Sequence, residues 1–333
     1  MRKTLQKTNV RATKLVALTA AISVSFGATA VLAQNNHSDY PEEQIRMIIP
    51  YSPGGATDII FRLFAGEAEK ELGVPIVPVN MSGASATVGS REVRNADPDG
   101  YTLLGSHEVI AAANISGVVD YSFDAFEPVA LITQTPNMAT INADIGLDSL
   151  EEFKAYAQEN PGELTWGITP GSTSHFFIAM MMEEMGLESE TLRLIDYEGT
   201  GDAITAVQRG EITGTMTNYT SARAQIEEGT FAVLAVAHDE RLPQLPDSPT
   251  FTELGYNFVN ATSRAFFAPA GTPDALVDTL AESFQATAES PELQARIEDE
   301  LGSIVRFLPP EETRIFFENA EDRLRRLADM LDM

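Results

Sequence analysis

The segment from Gln44 to Asp58, Gln-Ile-Arg-Met-Ile-Ile-Pro-Tyr-Ser-Pro-Gly-Gly-Ala-Thr-Asp, runs on into residues 59–72 and is compatible with few folds. Ile45, Met47, Ile48 and Ile49 spell a short buried strand that Pro50 and Pro53 close. Gly54 and Gly55 permit a sharp turn and place no side chain in the way of a ligand. Thr57 and Asp58 are cap-type residues at the start of a helix whose apolar positions Ile59, Ile60, Leu63, Phe64 and Leu72 recur at helical spacing. Gly73 is placed to end that helix. A helix mouth opened by glycines exposes unpaired backbone N–H groups at the positive end of the helix dipole, a site suited to a carboxylate or other anion. An ordinary strand-to-helix turn that binds nothing fits the same local pattern.

Strand-like and helix-like segments alternate through the rest of the chain. Residues 76–79 and 101–105 read as strands, with a helix over 85–94 between them. This β-α-β-α-β order implies a parallel sheet covered by helices. The long apolar stretch 127–142 reads as a strand that leaves one domain and enters another. There the pattern restarts, with helices over 150–160, 175–185 and 203–209 and strands over 164–168, 192–196, 212–217 and 231–237. Residues 239–260, rich in proline, cross back to a strand over 264–269, followed by helices over 274–290 and 310–331. The expected domains are therefore residues 40–137 plus 240–333, and residues 138–239. The second repeats the device of the first: Trp166-Gly-Ile-Thr-Pro-Gly-Ser-Thr-Ser-His175 is again strand, glycine loop and helix mouth. Two such mouths at the carboxyl ends of strands can grip one ligand from both sides.

The first 33 residues have the form of a secretory leader. Arg2, Lys3, Lys7, Arg11 and Lys14 precede an apolar run over residues 15–32, and Val31 and Ala33 set a cleavage site after Ala33. Removing them takes five basic and no acidic residues from a chain of net charge −27, leaving −27 − 5 = −32. That charge argues against nucleic acid and anionic membrane as partners. With no cysteine the chain has neither disulfides nor a lipid-modified cysteine anchor. No Gly-x-Ser-x-Gly elbow, His-Glu-x-x-His or phosphate loop occurs, no metal spacing joins the histidines, and no cofactor is indicated.

At these residues the sequence resembles the Bug family, the periplasmic solute-binding proteins of tripartite tricarboxylate transporters. The resemblance runs from about Ile45 to Leu331 through ordered motifs. They are Pro50-Tyr-Ser-Pro-Gly-Gly-Ala-Thr-Asp58, Val79-Asn80 with Gly83-Ala84, Ala96-Asp-Pro-Asp-Gly-Tyr-Thr-Leu103 and Gly171-Ser-Thr-Ser-His175. Tyr197-Glu-Gly199, Leu234-Ala-Val236, Arg241-Leu-Pro243 with Pro249-Thr250, and Ala268-Pro-Ala-Gly-Thr-Pro273 follow. It implies an α/β, two-domain periplasmic-binding-protein fold of type II (a Venus flytrap), each domain a mainly parallel sheet flanked by helices. It also implies a periplasmic, non-enzymatic monomer that captures a small carboxylate between its domains and delivers it to membrane permease subunits. The mature chain itself would not insert into the membrane. By the resemblance, ligand contacts map onto Ser52, Gly55, Ala56, Thr57 and Asp58, and onto Ser172, Thr173, Ser174 and His175. Three positions depart from the family pattern: Met81 where a basic residue usually follows the Asn, Ser263-Arg264 before the Ala-Pro-Ala-Gly motif, and Asn218 where an Asp is common. They bear on which carboxylate binds.

Several residues admit two readings. Asp58 is a partner for ligand or water, or a helix cap. His175 is a donor to a carboxylate, or is tied to its own loop. His107, just past a strand end, faces the cleft or the surface. Arg264 pairs bidentately with a second carboxylate, or is a solvated or ion-paired side chain. Tyr197, Glu198 and Asn218 stand at strand ends of the second domain as further pocket candidates. Two rival functions remain. One is an exported hydrolase using Ser172 or Ser174 with His175, which needs a base in hydrogen-bond reach and an orienting acid. The other is a sensor passing ligand occupancy to a membrane kinase.

Overall fold

A computed structural model describes residues 40–330, and the leader assigned to residues 1–33 lies outside them. The expected first strand, helix and second strand are β1 (Ile45–Ile49), α1 (Ala56–Leu72) and β2 (Ile76–Asn80). Gly73 ends α1 in the left-handed conformation, its amide returning to Glu69 O. Next come α2 (Thr87–Arg94), β3 (Thr102–Ser106) and α3 (Val109–Ile115). β4 (Phe126–Pro136) and β5 (Met138–Asn142) split the long apolar stretch at Asn137. Then follow α4 (Leu150–Glu159), β6 (Thr165–Ile168), α5 (Thr173–Met185), β7 (Arg193–Asp196), α6 (Thr200–Gln208), β8 (Gly214–Thr217), α7 (Tyr219–Glu227) and β9 (Phe231–Val236). The chain finishes with β10 (Ala261–Pro269), α8 (Asp274–Ala288), α9 (Pro291–Ala295), a π-helical turn Arg296–Glu300, β11 (Ile304–Leu308) and α10 (Pro310–Met330).

Two sheets result. The six-stranded sheet has the order β11-β4-β10-β3-β1-β2, and the five-stranded sheet β7-β6-β8-β5-β9. Each is mixed. β1 pairs in parallel with β2 and β3, and β6 with β7 and β8, the halves that the alternating pattern implied. The antiparallel halves come from strands arriving by other routes: β10 between β3 and β4, β11 on β4, and β5 between β8 and β9. Helices cover both faces of the six-stranded sheet. Phe266 of β10 lies between Phe61 of α1 and Phe284 of α8, at ring-centroid distances of 5.1 and 4.3 Å. Phe267 faces the other way, onto Phe123 and Phe317. In the five-stranded unit Trp166 is fully buried beside Phe153. Phe251 and Phe258, from the proline-rich connection, belong to the same core.

The chain crosses between sheets twice, and the crossings are bonded together. The Asn137 amide donates to Asn260 O at 3.0 Å, and Asn137 O accepts the Ala237 amide at 2.8 Å. Asn260 N reaches Ala237 O at 2.9 Å, and Asn137 Nδ2 donates to Asn260 Oδ1 at 2.7 Å.

Candidate functional site

Ser52 to Gly55 form an exposed loop at the carboxyl end of β1. Gly54 has φ +83, which a side chain rarely tolerates, and Gly55 stands at the N-cap of α1 with no side-chain cap. Asp58 is not spent on that cap. Its carboxylate, 3% exposed, accepts the Gly54 amide at 2.9 Å, Asn80 Nδ2 at 2.8 Å and Arg62 Nε at 2.8 Å. Burial alone raises the carboxyl's pKa. The Gly54 amide, Asn80 and Arg62 outweigh that and hold it below the ordinary value. The acid of the first turn is thus committed to shaping the loop, and the first-turn amides of α1 keep the positive end of the helix.

Arg264 lies behind this mouth. It is 1% exposed, donating through Nε to Thr57 Oγ1 at 3.1 Å and through Nη1 to Thr135 Oγ1 at 2.5 Å. Burial lowers its pKa to about 10, against the fields of Tyr51 and Glu108. Among the described ion pairs none includes Arg264. It is therefore neither the solvated nor the salt-bridged arginine that the sequence allowed. His107 stacks on Tyr51, ring centroids 4.8 Å apart, and its Nδ1 accepts the Val109 amide. Burial, then the Arg264 charge, push its pKa to about 3, so the ring is neutral. Glu108 accepts the Ser263 amide at 3.1 Å with both oxygens, and burial pushes its pKa up.

The mouth of α5 is built differently. Ser172, the N-cap, accepts the Ser174 amide at 3.3 Å, and Ser174 Oγ accepts the Thr169 amide at 3.0 Å. His175 Nδ1 accepts the Gly171 amide at 3.3 Å, which is the loop-tied reading. Burial lowers its pKa, partly offset by Asp196. Neither serine is bonded to this imidazole among the described residues, so a Ser–His nucleophile is not assembled here. Among the described residues the buried Thr169 hydroxyl has no partner.

The remaining candidates are spread out. Asn218 caps α7 in a reciprocal pair with Ser221, Tyr197 is half-buried against the α6 core, and Glu198 is exposed. Thr57 and Arg264 are joined directly, but no described hydrogen bond links the two mouths. An open-mouthed cavity of about 290 Å³ near the crossings is lined by Glu108, Thr173, Asn137, Asn260, Arg306 and Arg323, and by none of residues 52–58. Strand alternation explains the separation: Ser263 and Gln134 face that cavity, whereas Arg264 and Thr135 point to the opposite face. Tyr51, Glu108, Thr135 and Thr169 were missed as candidates, although Tyr51 and Thr169 stand in the two quoted loops.

Among the described residues no helix is long and apolar enough to cross a membrane, and no acidic, histidine or cysteine group is gathered to hold a metal. The family profile described as tripartite tricarboxylate transporter family receptor matches residues 60–306. A UPF0065 protein of Bordetella pertussis is 34% identical over 270 residues, 79% of this chain and 82% of that protein. The structure of periplasmic binding protein BugD aligns with TM-score 0.75 and 29% identity, covering 87% of this chain and 98% of that one. MatC from Rhodopseudomonas palustris, solved with bound malate, aligns with TM-score 0.73 and 27% identity, covering 87% and 99%. A profile match across most of the chain, supported by folds aligned over nearly their whole length, places this protein in the tripartite tricarboxylate transporter receptor family, periplasmic solute-binding proteins and not enzymes.

Proposed function

We propose that the chain captures a small dicarboxylate between its two sheet units, closes on it and delivers it to permease subunits of a tripartite transporter. The observation that carries this reading is Arg264, a buried cation bonded to two hydroxyls, one of them on the first turn of α1. Buried charges are ordinarily paired, and the partner that fits here is a ligand carboxylate held by the free amides of Gly55 to Thr57. A second carboxylate would meet Ser172 to His175, with Thr169 as an added donor. His107, Tyr197, Glu198 and Asn218 would border the same space. Malate in the solved relative MatC agrees with a two-ended ligand. The domains under this reading are residues 40–137 plus the return from Asn260 onward, and the intervening chain, since Phe251 and Phe258 pack with the five-stranded core. Secretion with cleavage after Ala33 and a monomeric mature chain complete the proposal.

The test is a thermal-shift series with malate and with mono-, tri- and aromatic carboxylates, followed by calorimetry. At a hundredfold excess over Kd a ligand adds about 2.7 kcal/mol, a rise of several degrees in Tm. A rise with a dicarboxylate, lost in Arg264→Met, supports the reading. A silent series on protein stripped of ligand by unfolding and refolding sinks it.

A further inference from the structure

The end of the π-helical turn Arg296–Glu300 has no counterpart elsewhere among the described elements. The last carbonyls of a helix lack partners within it; here side chains of the five-stranded unit bond three carbonyls at this end, one of which, Glu298 O, also takes the Gly302 amide. Gln244 Nε2 donates to Glu298 O at 2.5 Å, Arg223 Nη1 to Glu300 O at 3.4 Å, and the Thr220 hydroxyl to Leu301 O. The cation Arg223 stands where the helix dipole is negative. Gly302, at φ +57, lies so close under Tyr219 that a Cβ would come within 2.7 Å of the ring. Residues 298–302 are thus seated on α7.

The next residue leads inward. Ser303 is 1% exposed, and its Oγ lies 2.6 Å from Thr135 Oγ1. Thr135 accepts Arg264 Nη1 while its hydroxyl stays bonded to Ser303, and Arg264 Nε reaches Thr57 at the mouth of α1. A continuous chain of contacts therefore runs from Thr220 through Leu301, Gly302, Ser303, Thr135 and Arg264 to Thr57.

We propose that this chain couples the seat of residues 298–302 on α7 to the carboxylate mouth, with Thr135 and Ser303 as positioning residues that act through Arg264. The proposal rests on reading the α1 mouth as a carboxylate site. The two states are the seat engaged and the seat released. When it releases, Ser303 withdraws from Thr135, Arg264 loses the alignment of one of its two partners, and Thr57 is held less firmly. By linkage, a carboxylate that fixes Arg264 and Thr57 favours the engaged seat to the same degree. Ligand binding at one sheet unit thereby strengthens that unit's grip on the other, away from the ligand.

The experiment uses Thr220→Val, Ser303→Ala and their double variant, with Thr220→Ser as the conservative rescue. The first readout needs no ligand: hydrogen exchange, followed by NMR, of the Gly54 and Ile59 amides, which are bonded to Asp58 Oδ2 and to Gly55 O at the mouth. Each single variant is expected to speed that exchange about two- to thirtyfold, the range for changes along a coupled path. The double variant should be no faster than the faster single, and Thr220→Ser should match wild type. The second readout is the Kd for malate, expected to rise by a similar factor without multiplication in the double variant. Unchanged exchange at Gly54 and Ile59, with residues 301–303 visibly loosened in Thr220→Val, overturns the coupling. So do effects that multiply. A wild-type protein that ignores malate and the other carboxylates overturns the ligand assignment instead, and the exchange data still decide the coupling.

Discussion

The mouths of α1 and α5 are spelled alike and finished in opposite ways. At α1 the cap is a bare glycine, the nearby acid is turned aside to hold Gly54, and a buried arginine backs the loop. At α5 the hydroxyls and the imidazole fold back on their own loop: Ser172 on the Ser174 amide, Ser174 on the Thr169 amide, His175 on the Gly171 amide. Each such bond is worth about 0.5–1.5 kcal/mol net, so a ligand can displace them one at a time. Under the proposed function, one end is set in advance to receive charge and the other adapts. In a chain this acidic the division matters, because an anion needs one place where the local field is firmly positive.

The comparison breaks most readily at Gly55. Its φ of −76 and ψ of 162 suit a β-branched residue, and a Cβ there meets only Ser52 O at 3.8 Å. Gly55→Val should fold, with stability lowered by about 0.5–1 kcal/mol for a poorer N-cap, while malate affinity drops about 100-fold or more, a loss of ~2.7 kcal/mol. Calorimetry that finds full affinity would move the charge-binding end to α5.

His107, behind the first mouth, sharpens the contrast. His107 is held neutral to about pH 3, whereas the unfolded chain protonates near 6.5. The unfolded state takes up the proton first as pH falls. Stability should therefore decline between pH 6.5 and 3, by up to about 1.4 kcal/mol per pH unit. Urea unfolding of wild type and His107→Phe at pH 7, 6, 5 and 4 reads the difference, and equal slopes would mean that His107 takes no part.

Asp58→Asn tests the scaffold of the first mouth. Losing a carboxylate that accepts from Arg62, Asn80 and Gly54 should cost about 1.5–3 kcal/mol at pH 7. The folded carboxyl titrates below its ordinary 3.8, so its contribution is present above that value and lost as pH falls through the lower one. The gap between wild type and variant in Tm should close in acid. A constant gap would assign the loss to packing.

Ser172→Ala should have the smallest effect, about 1 kcal/mol of stability for a lost N-cap and only a few-fold weaker binding. If it abolished binding as thoroughly as Gly55→Val, α5 would not be the adaptable end.

What the sequence disclosed follows the range of the interactions. Gly54, Gly55 and Gly73 bracket α1 by local geometry alone, and all three lie at its ends. Asn137 falls inside the expected exit segment, because a long apolar run has to change sheets somewhere. The sequence reads as a turn over residues 218–221 where α7 begins, although the Asn218 and Ser221 pair is a capping signal three residues apart. β11 escapes a sequence reading because a half-buried edge strand pairing only with β4 leaves a weak alternation. The partners of Arg264 were beyond local reading: Thr57 is 207 residues away, and only the antiparallel insertion of β10 between β3 and β4 brings them together.

The bonded crossing at Asn137, Ala237 and Asn260 also has a mechanical meaning. A single connecting thread would let one sheet unit swivel about it in any direction. Two threads laced to each other by backbone and side-chain amides behave as the pin of a door. Twisting and sliding break the lacing, and only a swing about the line of the pin leaves it intact. Under the proposed function a ligand has one motion to bias, and every hydrogen bond it would make at either mouth acts along the same arc.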